Sequence, residues 1–131
     1  MRLLPRLLLG SSAVILAFGA FMHASAFERA ASAVAASNLG SFYAQSFKGL
    51  WLIDSVTLLT LAICFGLAAA RPSTVSRAVI MLLACIPAGT AFFQYLFIGT
   101  FVPAHILLLA AVAALSGAFG AKGASSDIGG S

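Results

Sequence analysis

Four long apolar runs, almost free of charge, constrain this chain more than any other feature of its sequence. The runs cover residues 7–27, 49–70, 78–98 and 101–121, and Asp54 is the only formally charged side chain within them. A helix needs about 20 apolar residues to cross roughly 30 Å of hydrocarbon, and each run has that length. The sequence therefore predicts an all-α membrane protein, a bundle of four transmembrane helices within a single domain over residues 1–121.

The composition supports this class and excludes others. Of the 131 residues, 62% are apolar and 8% are charged, whereas about a quarter are charged in an ordinary soluble domain. A soluble fold of this size could not bury so much apolar surface, so the lipid bilayer is the expected partner. The net charge of +4 comes from seven basic residues spread along the chain, and no nucleic-acid partner is expected. Cys64 and Cys85 have neither the spacing of a zinc site nor that of a disulfide framework.

The connections between the runs differ in length. Residues 28–48 form the only long one, and its second part, Ser41 to Lys48, contains three aromatic residues. This pattern predicts a short interfacial helix between the first two spans. The other connections are tight turns, and Pro72 is expected to end the second span. Residues 122–131 are rich in Gly and Ser, which predicts a flexible cytoplasmic tail.

The basic residues predict the orientation of the bundle. With four spans, five of them lie on the side of the two termini, namely Arg2, Arg6, Arg71, Arg77 and Lys122. The other side has Arg29 and Lys48. Because the cytoplasmic loops of membrane proteins carry the excess of Lys and Arg, we expect a multi-pass protein of the inner (cell) membrane with both termini in the cytoplasm.

The first run has an alternative interpretation as a secretory signal peptide. Residues 1–26 have a basic start, an apolar stretch and an Ala24-Ser25-Ala26 end that fits a cleavage site. Cleavage would leave three spans and would remove His23. The apolar run is longer than a typical signal sequence requires and continues through Phe27, which favours retention of the first helix.

Four polar residues fall at a similar depth, about one turn below the outer surface, when the spans are threaded antiparallel. They are His23, Asp54, Gln94 and His105, and each is expected on a face that points into the bundle. Such groups can hydrogen-bond to one another between helices or can mark a ligand or proton pathway. A metal is a third interpretation, with His23, Asp54 and His105 as the ligands. Two His cannot supply the four axial ligands of a di-haem bundle, and no cofactor is expected.

Small residues predict close helix packing in the inner half of the fourth span. Ala113 and Gly117 are four residues apart, as are Ser116 and Gly120, and this spacing lets helix backbones approach closely. Gly19 lies on the same face of the first span as His23. One small face of the fourth span suits a contact within the chain, and a second predicts a homo-oligomer or a membrane-protein partner.

The sequence contains no recognisable catalytic constellation, which favours a protein that is not an enzyme. The function that fits best is an accessory or oligomeric structural component of the membrane. The alternative is a small carrier, or a ligand- or metal-binding membrane protein, that uses the His/Asp/Gln cluster of the outer leaflet.

Overall fold

A computed structural model describes residues 3–120, and this part of the chain consists of five helices without a strand. The helices are α1 (Leu3–Ser25), α2 (Phe27–Ala35), α3 (Ser41–Ala70), α4 (Arg77–Phe97) and α5 (Val102–Gly120). All except α2 are long and apolar enough to cross a membrane. The predicted all-α fold with four candidate spans is therefore confirmed. The predicted tail, residues 122–131, lies outside the described residues.

The first helix, α1, is the central element of the bundle. It packs along both α3 and α5, whereas α4 packs on α5 and contacts α3 much less. Leu9 and Leu16 of α1 are completely or almost completely buried and lie seven residues apart, two helical turns, on the same face. They meet the buried ring of Phe65 from α3 within one apolar core.

The fifth helix presents small side chains to its neighbours. Its buried residues are Ala104, Leu107, Ala110, Ala111, Ala114, Gly117 and Ala118. They let α1 and α5 approach closely enough for the buried hydroxyl of Ser12 to donate to the carbonyl oxygen of Ala110 at 2.9 Å. Lipid is as apolar as the side chains themselves, so such packing and hydrogen bonds hold membrane helices together.

The predicted packing residues differ in what they contact. A Cβ atom at Gly117 would lie 2.9 Å from Leu9 Cγ and 3.1 Å from the Pro5 carbonyl oxygen, and one at Gly120 would lie 2.9 Å from Pro5 Cγ. These two glycines therefore pack against α1 within the chain. Ala113 is half-buried, whereas Ser116 is exposed. A Cβ atom at Gly19 would meet nothing within 4 Å, so no close approach requires this glycine.

The short helix between the first two spans is present, but its predicted location was wrong. It is α2, Phe27–Ala35, whereas Ser41 to Lys48 forms the first turns of α3. The physical reason is the position of the break in the helical backbone. The break falls at residues 36–40, before Ser41, and the helix continues without interruption through Lys48 and Gly49. Along α2, Ala30 and Val34 are on the more buried face and Glu28 and Arg29 are exposed. This amphipathic pattern is typical of a helix at a membrane surface.

The four long helices share one end that is rich in arginine, which we call the basic end. It comprises the start of α1, the end of α3, the start of α4 and the end of α5. The Arg6 guanidinium joins the first two, because its Nε donates to the Ala69 carbonyl and its Nη2 to the Ala70 carbonyl, both at 2.9 Å. These carbonyls end α3 and have no partner within the helix, so a cation there is favourable. At the opposite end, Gly99 with a φ of 88° lies in the turn between α4 and α5.

Candidate functional site

The packing of α1 on α3 brings together two of the predicted polar residues, His23 and Asp54. The distance between His23 Nε2 and Asp54 Oδ2 is 3.4 Å, and the side chains are 26% and 37% exposed. His23 lies in the last turn of α1, where the adjoining surface of α3 is formed by residues 51–55. The pair is therefore located near the end of the bundle opposite the basic end and is partly accessible.

The remaining groups of His23 also contact α3. Its Nδ1 is 2.9 Å from the hydroxyl of Ser55, a buried residue. Its imidazole ring stacks on the Trp51 indole, with a centroid distance of 4.2 Å and an interplanar angle of 15°. The main-chain carbonyl of His23 accepts a 2.8 Å hydrogen bond from Trp51 Nε1. We call His23, Trp51, Asp54 and Ser55 the histidine cluster.

The contacts of His23 allow two hydrogen-bond arrangements, which differ in the tautomer of the imidazole. The Ser55 hydroxyl is 3.2 Å from the Trp51 carbonyl oxygen; if it donates there, it accepts from His23 Nδ1–H. The contact between Nε2 and Oδ2 is then favourable only with a proton on one of these two atoms, because otherwise two lone pairs face each other. If Ser55 instead donates to Nδ1, the ring carries its proton on Nε2 and donates to the carboxylate. In both arrangements His23 bonds to Ser55 and lies 3.4 Å from the Asp54 carboxyl.

The other two predicted residues, Gln94 and His105, lie on α4 and α5 and have surroundings of their own. Within residues 3–120 no hydrogen bond or ion pair connects them to His23 or Asp54. His105 Nδ1 is 2.8 Å from the Phe101 carbonyl oxygen on its own helix, and its ring meets the Tyr95 ring edge-on at 5.3 Å. The buried Oε1 of Gln94 has no partner in the described chain. Of the four residues, only His23 and Asp54 are thus joined by a contact within the described chain.

The expectation that His105 faces the interior of the bundle was wrong. His105 is exposed, as are Leu109 and Val112 one and two turns further along the same face. The buried face of α5 begins instead at Ala104 and continues through Leu107 and Ala111. Close approach of α5 to its neighbours requires small side chains at the contact, and this requirement turns His105 outward.

The structure assembles two of the three suggested metal ligands. His23 and Asp54 are neighbours, but His105 is not part of the cluster, and residues 3–120 contain no group of three or more His, Cys, Asp or Glu side chains that could hold a metal ion. Both cysteines are free thiols, half-buried at Cys64 and exposed at Cys85.

Sequence reasoning did not include Trp51 and Ser55 among the site residues. The signal that could have identified Trp51 is its helical spacing, because it precedes Asp54 by three residues and Ser55 by four. Residues three and four apart lie on one face of a helix, so Trp51 shares a face with both. A helix that turns Asp54 toward a neighbour therefore turns Trp51 toward the same neighbour.

The histidine cluster combines a His–Asp pair, a hydroxyl and an indole N–H, and all of them link α1 to α3. Chemically the pair can exchange a proton, and the partly exposed carboxyl can accept a hydrogen bond. Comparison of the chain with known protein families, with curated proteins and with solved structures finds no match, so its function is inferred from these contacts.

Proposed function

We propose that this protein is a non-enzymatic accessory or structural component of the inner membrane, and that its histidine cluster fastens α1 to α3. The observation that carries the proposal is the use of His23. Both ring nitrogens, one ring face and the main-chain carbonyl all have partners on α3. A residue engaged at four points by one neighbouring helix acts as a link between the helices.

The position of α1 explains why such a link is useful. This helix lies between α3 and α5 and contributes Leu9, Leu16 and Ser12 to the core. Hydrogen bonds between membrane helices are worth about 1–2 kcal/mol or less each, so several are needed to hold a helix in one register. The Ser12 bond fastens α1 to α5, and the histidine cluster fastens it to α3.

The outer surface of the bundle supports a role in assembly. Large apolar side chains are exposed on every long helix, for example Phe18, Ile63, Phe92 and Leu109. In a membrane such surfaces contact lipid tails or other membrane proteins. We propose that both termini are cytoplasmic, with the basic end on that side, and that a homo-oligomer or a partner protein covers part of this surface.

Isolation of the native protein in mild detergent tests this function. We expect a stoichiometric membrane protein, or additional copies of the chain, in the purified complex. A matched sample of the His23→Ala variant should show a less stable bundle and a weakened complex. A protein that purifies as a bare monomer with a stoichiometric metal or a cofactor absorption band would contradict the proposal.

A carrier or ligand-binding function is the second candidate. It is favoured by the 37% exposure of the Asp54 side chain, because a partly accessible carboxyl beside an imidazole can take up and release a proton. Reconstituted vesicles that carry a pH gradient test it with Asp54→Asn and with Thr57→Val as a control. Among residues 3–120, the Thr57 hydroxyl bonds only to the Ile53 carbonyl of its own helix. Proton flux that is lost in Asp54→Asn and kept in Thr57→Val would favour the carrier.

A further inference from the structure

A cavity of about 270 Å³ lies at the basic end, between the start of α1 and the turn that joins α3 to α4. Leu9, Ala68 and Ile80 give it an apolar wall, and its polar groups come from Ser73, Ser76 and Arg77. Gly117 and Ala118 of α5 complete the lining, so all four long helices contribute to it. A cavity with an apolar wall and several polar groups suits a ligand that has a polar group and an apolar part.

Arg77 is positioned at this cavity but is short of acceptors. Its guanidinium carbon lies 4.7 Å from the centre of the Phe119 ring, a cation–π contact that orients the side chain. Its Nε is buried and has no hydrogen-bond acceptor among residues 3–120. An unpaired buried donor is costly, and a guanidinium offers five N–H groups in a fork that fits the oxygens of a phosphate.

The charges around the cavity favour an anion. Arg6 and Arg71 lie at the same end as Arg77, whereas the two acidic residues of the described chain, Glu28 and Asp54, are near the opposite end. The start of α4 adds a positive helix end. There Ser76 Oγ accepts from the Val79 N–H at 3.3 Å, while the main-chain N–H groups of the first two residues have no acceptor within the helix.

We propose that this cavity binds the phosphate group of an anionic phospholipid, with Arg77 as the main donor and the apolar wall against the adjoining part of the lipid. Basic pockets between membrane-spanning helices on the cytoplasmic side are known to take acidic headgroups. Free inorganic phosphate presents the same oxygens but gains nothing from Leu9, Ala68 and Ile80. The apolar wall therefore favours the lipid as the source of the phosphate.

Native mass spectrometry of the full chain, titrated with phosphatidylglycerol, with phosphatidylcholine and with inorganic phosphate, tests the site. We expect one retained phosphatidylglycerol and weaker retention of phosphatidylcholine. Arg77→Gln should weaken phosphatidylglycerol binding about tenfold, since it removes charge-assisted hydrogen bonds. Arg29→Gln removes the same charge at the opposite end of the bundle and should change binding less than about twofold.

A second variant keeps the test decisive if Arg77→Gln is poorly folded. Ser73 is an exposed lining residue, so Ser73→Trp should obstruct the cavity without disturbing the core and should also abolish retention of the lipid. Equal binding of phosphatidylglycerol by the parent and both variants would overturn the proposal, as would displacement of the lipid by equimolar inorganic phosphate. The third acidic residue of the chain, Asp127, lies outside the described residues. Lipid binding by Asp127→Asn but not by the parent would also overturn the proposal, because it would identify this carboxylate as the occupant of the cavity.

Discussion

His23 shows at the scale of one residue how a titratable side chain can serve a structural purpose in a membrane helix. One nitrogen of its imidazole lies 3.4 Å from the Asp54 carboxyl, and the other contacts the Ser55 hydroxyl at 2.9 Å. The stacked Trp51 ring covers one face and reduces its access to water. Removing one partner from such a network lowers the free energy of unfolding more than replacing it with a weaker hydrogen-bond partner. The reason is that the remaining polar atom then stays without a hydrogen bond.

Substitutions of Asp54 test this view. Asp54→Asn keeps an oxygen that can accept from His23 Nε2, so we expect a loss of about 1–2 kcal/mol at most in the free energy of unfolding. Asp54→Leu offers no acceptor, and we expect a larger loss because Nε2 remains unpaired. Thermal unfolding in detergent measures both, with Thr57→Val as the neutral control. A Leu variant as stable as the parent would show that Asp54 does not hold His23.

Trp51 permits a second test of the same cluster. Trp51→Phe keeps an aromatic ring against the imidazole but loses the 2.8 Å hydrogen bond from Nε1 to the His23 carbonyl. We expect a loss of about 1 kcal/mol and a lower midpoint of thermal unfolding. Phe42→Leu is a suitable control because Phe42 is 75% exposed and its ring pairs edge-on with Tyr43. Equal midpoints for the Trp51→Phe variant and the parent would contradict the importance of the indole N–H.

At the scale of the element, the contact between α1 and α5 depends on the absence of side chains on α5. Gly117 faces Leu9 and the Pro5 carbonyl at distances that leave no room for a methyl group. The Ser12 hydroxyl bond to Ala110 lies further along the same interface. This interface is made of small residues and one buried hydrogen bond, a common design for helices in lipid.

A pair of glycine substitutions measures the closeness of this contact. Gly117→Ala should displace α1 from α5 and destabilise the bundle by about 1–3 kcal/mol, as overpacking does. Gly19→Ala adds the same methyl group where nothing lies within 4 Å, so it should leave stability unchanged or slightly raised through helix propensity. Thermal unfolding in detergent compares the two variants. Equal effects at both positions would contradict the packing of Gly117 against α1.

At the scale of the whole molecule, two features stand out, namely the unequal charge of the two ends and the central position of α1. Arg6, Arg71 and Arg77 share one end of the four-helix bundle, and Arg29 and Lys48 precede the buried part of α3 at the other. Removal of residues 1–26 would take Leu9, Leu16 and His23 out of the structure. It would leave α3 without its main packing partner and α5 without one of its two.

The orientation is tested with a reporter that is active only in the periplasm. Fused after Ser131, it should be silent, because the excess of basic residues predicts that both termini are cytoplasmic. Inserted after Asn38, in the break before α3, the same reporter should be active and so serves as the control. Activity at Ser131 would contradict the orientation.

The retention of α1 is tested by the intact mass of the purified protein. We expect a mature chain that begins at or near Met1, since α1 packs between α3 and α5 and supplies part of the core. The same measurement on a variant with Ala24 and Ala26 both replaced by Leu, which removes the cleavage pattern, should give the same N-terminus. A mature N-terminus at Phe27 in the parent alone would show that the signal-peptide interpretation is correct.

The sequence by itself determined the number of candidate spans, the all-helical class and the presence of a short helix between the first two spans. These features follow from the length and hydropathy of local segments, because a backbone in lipid must satisfy its hydrogen bonds within the helix. Sequence reasoning could also place Asp54 and His23 at one depth, since depth depends only on counting residues from the span ends.

Only the tertiary structure decided which faces meet. It separated Gln94 and His105 from His23 and Asp54, turned His105 outward and added Trp51 and Ser55 to the cluster. The reason is that rotation about a helix axis depends on packing against neighbours, here on the small residues of α5 against Pro5 and Leu9. When a helix has apolar residues on all sides, its sequence says little about which face is buried. The rotation of each helix about its axis is therefore fixed only when all four long helices are packed together.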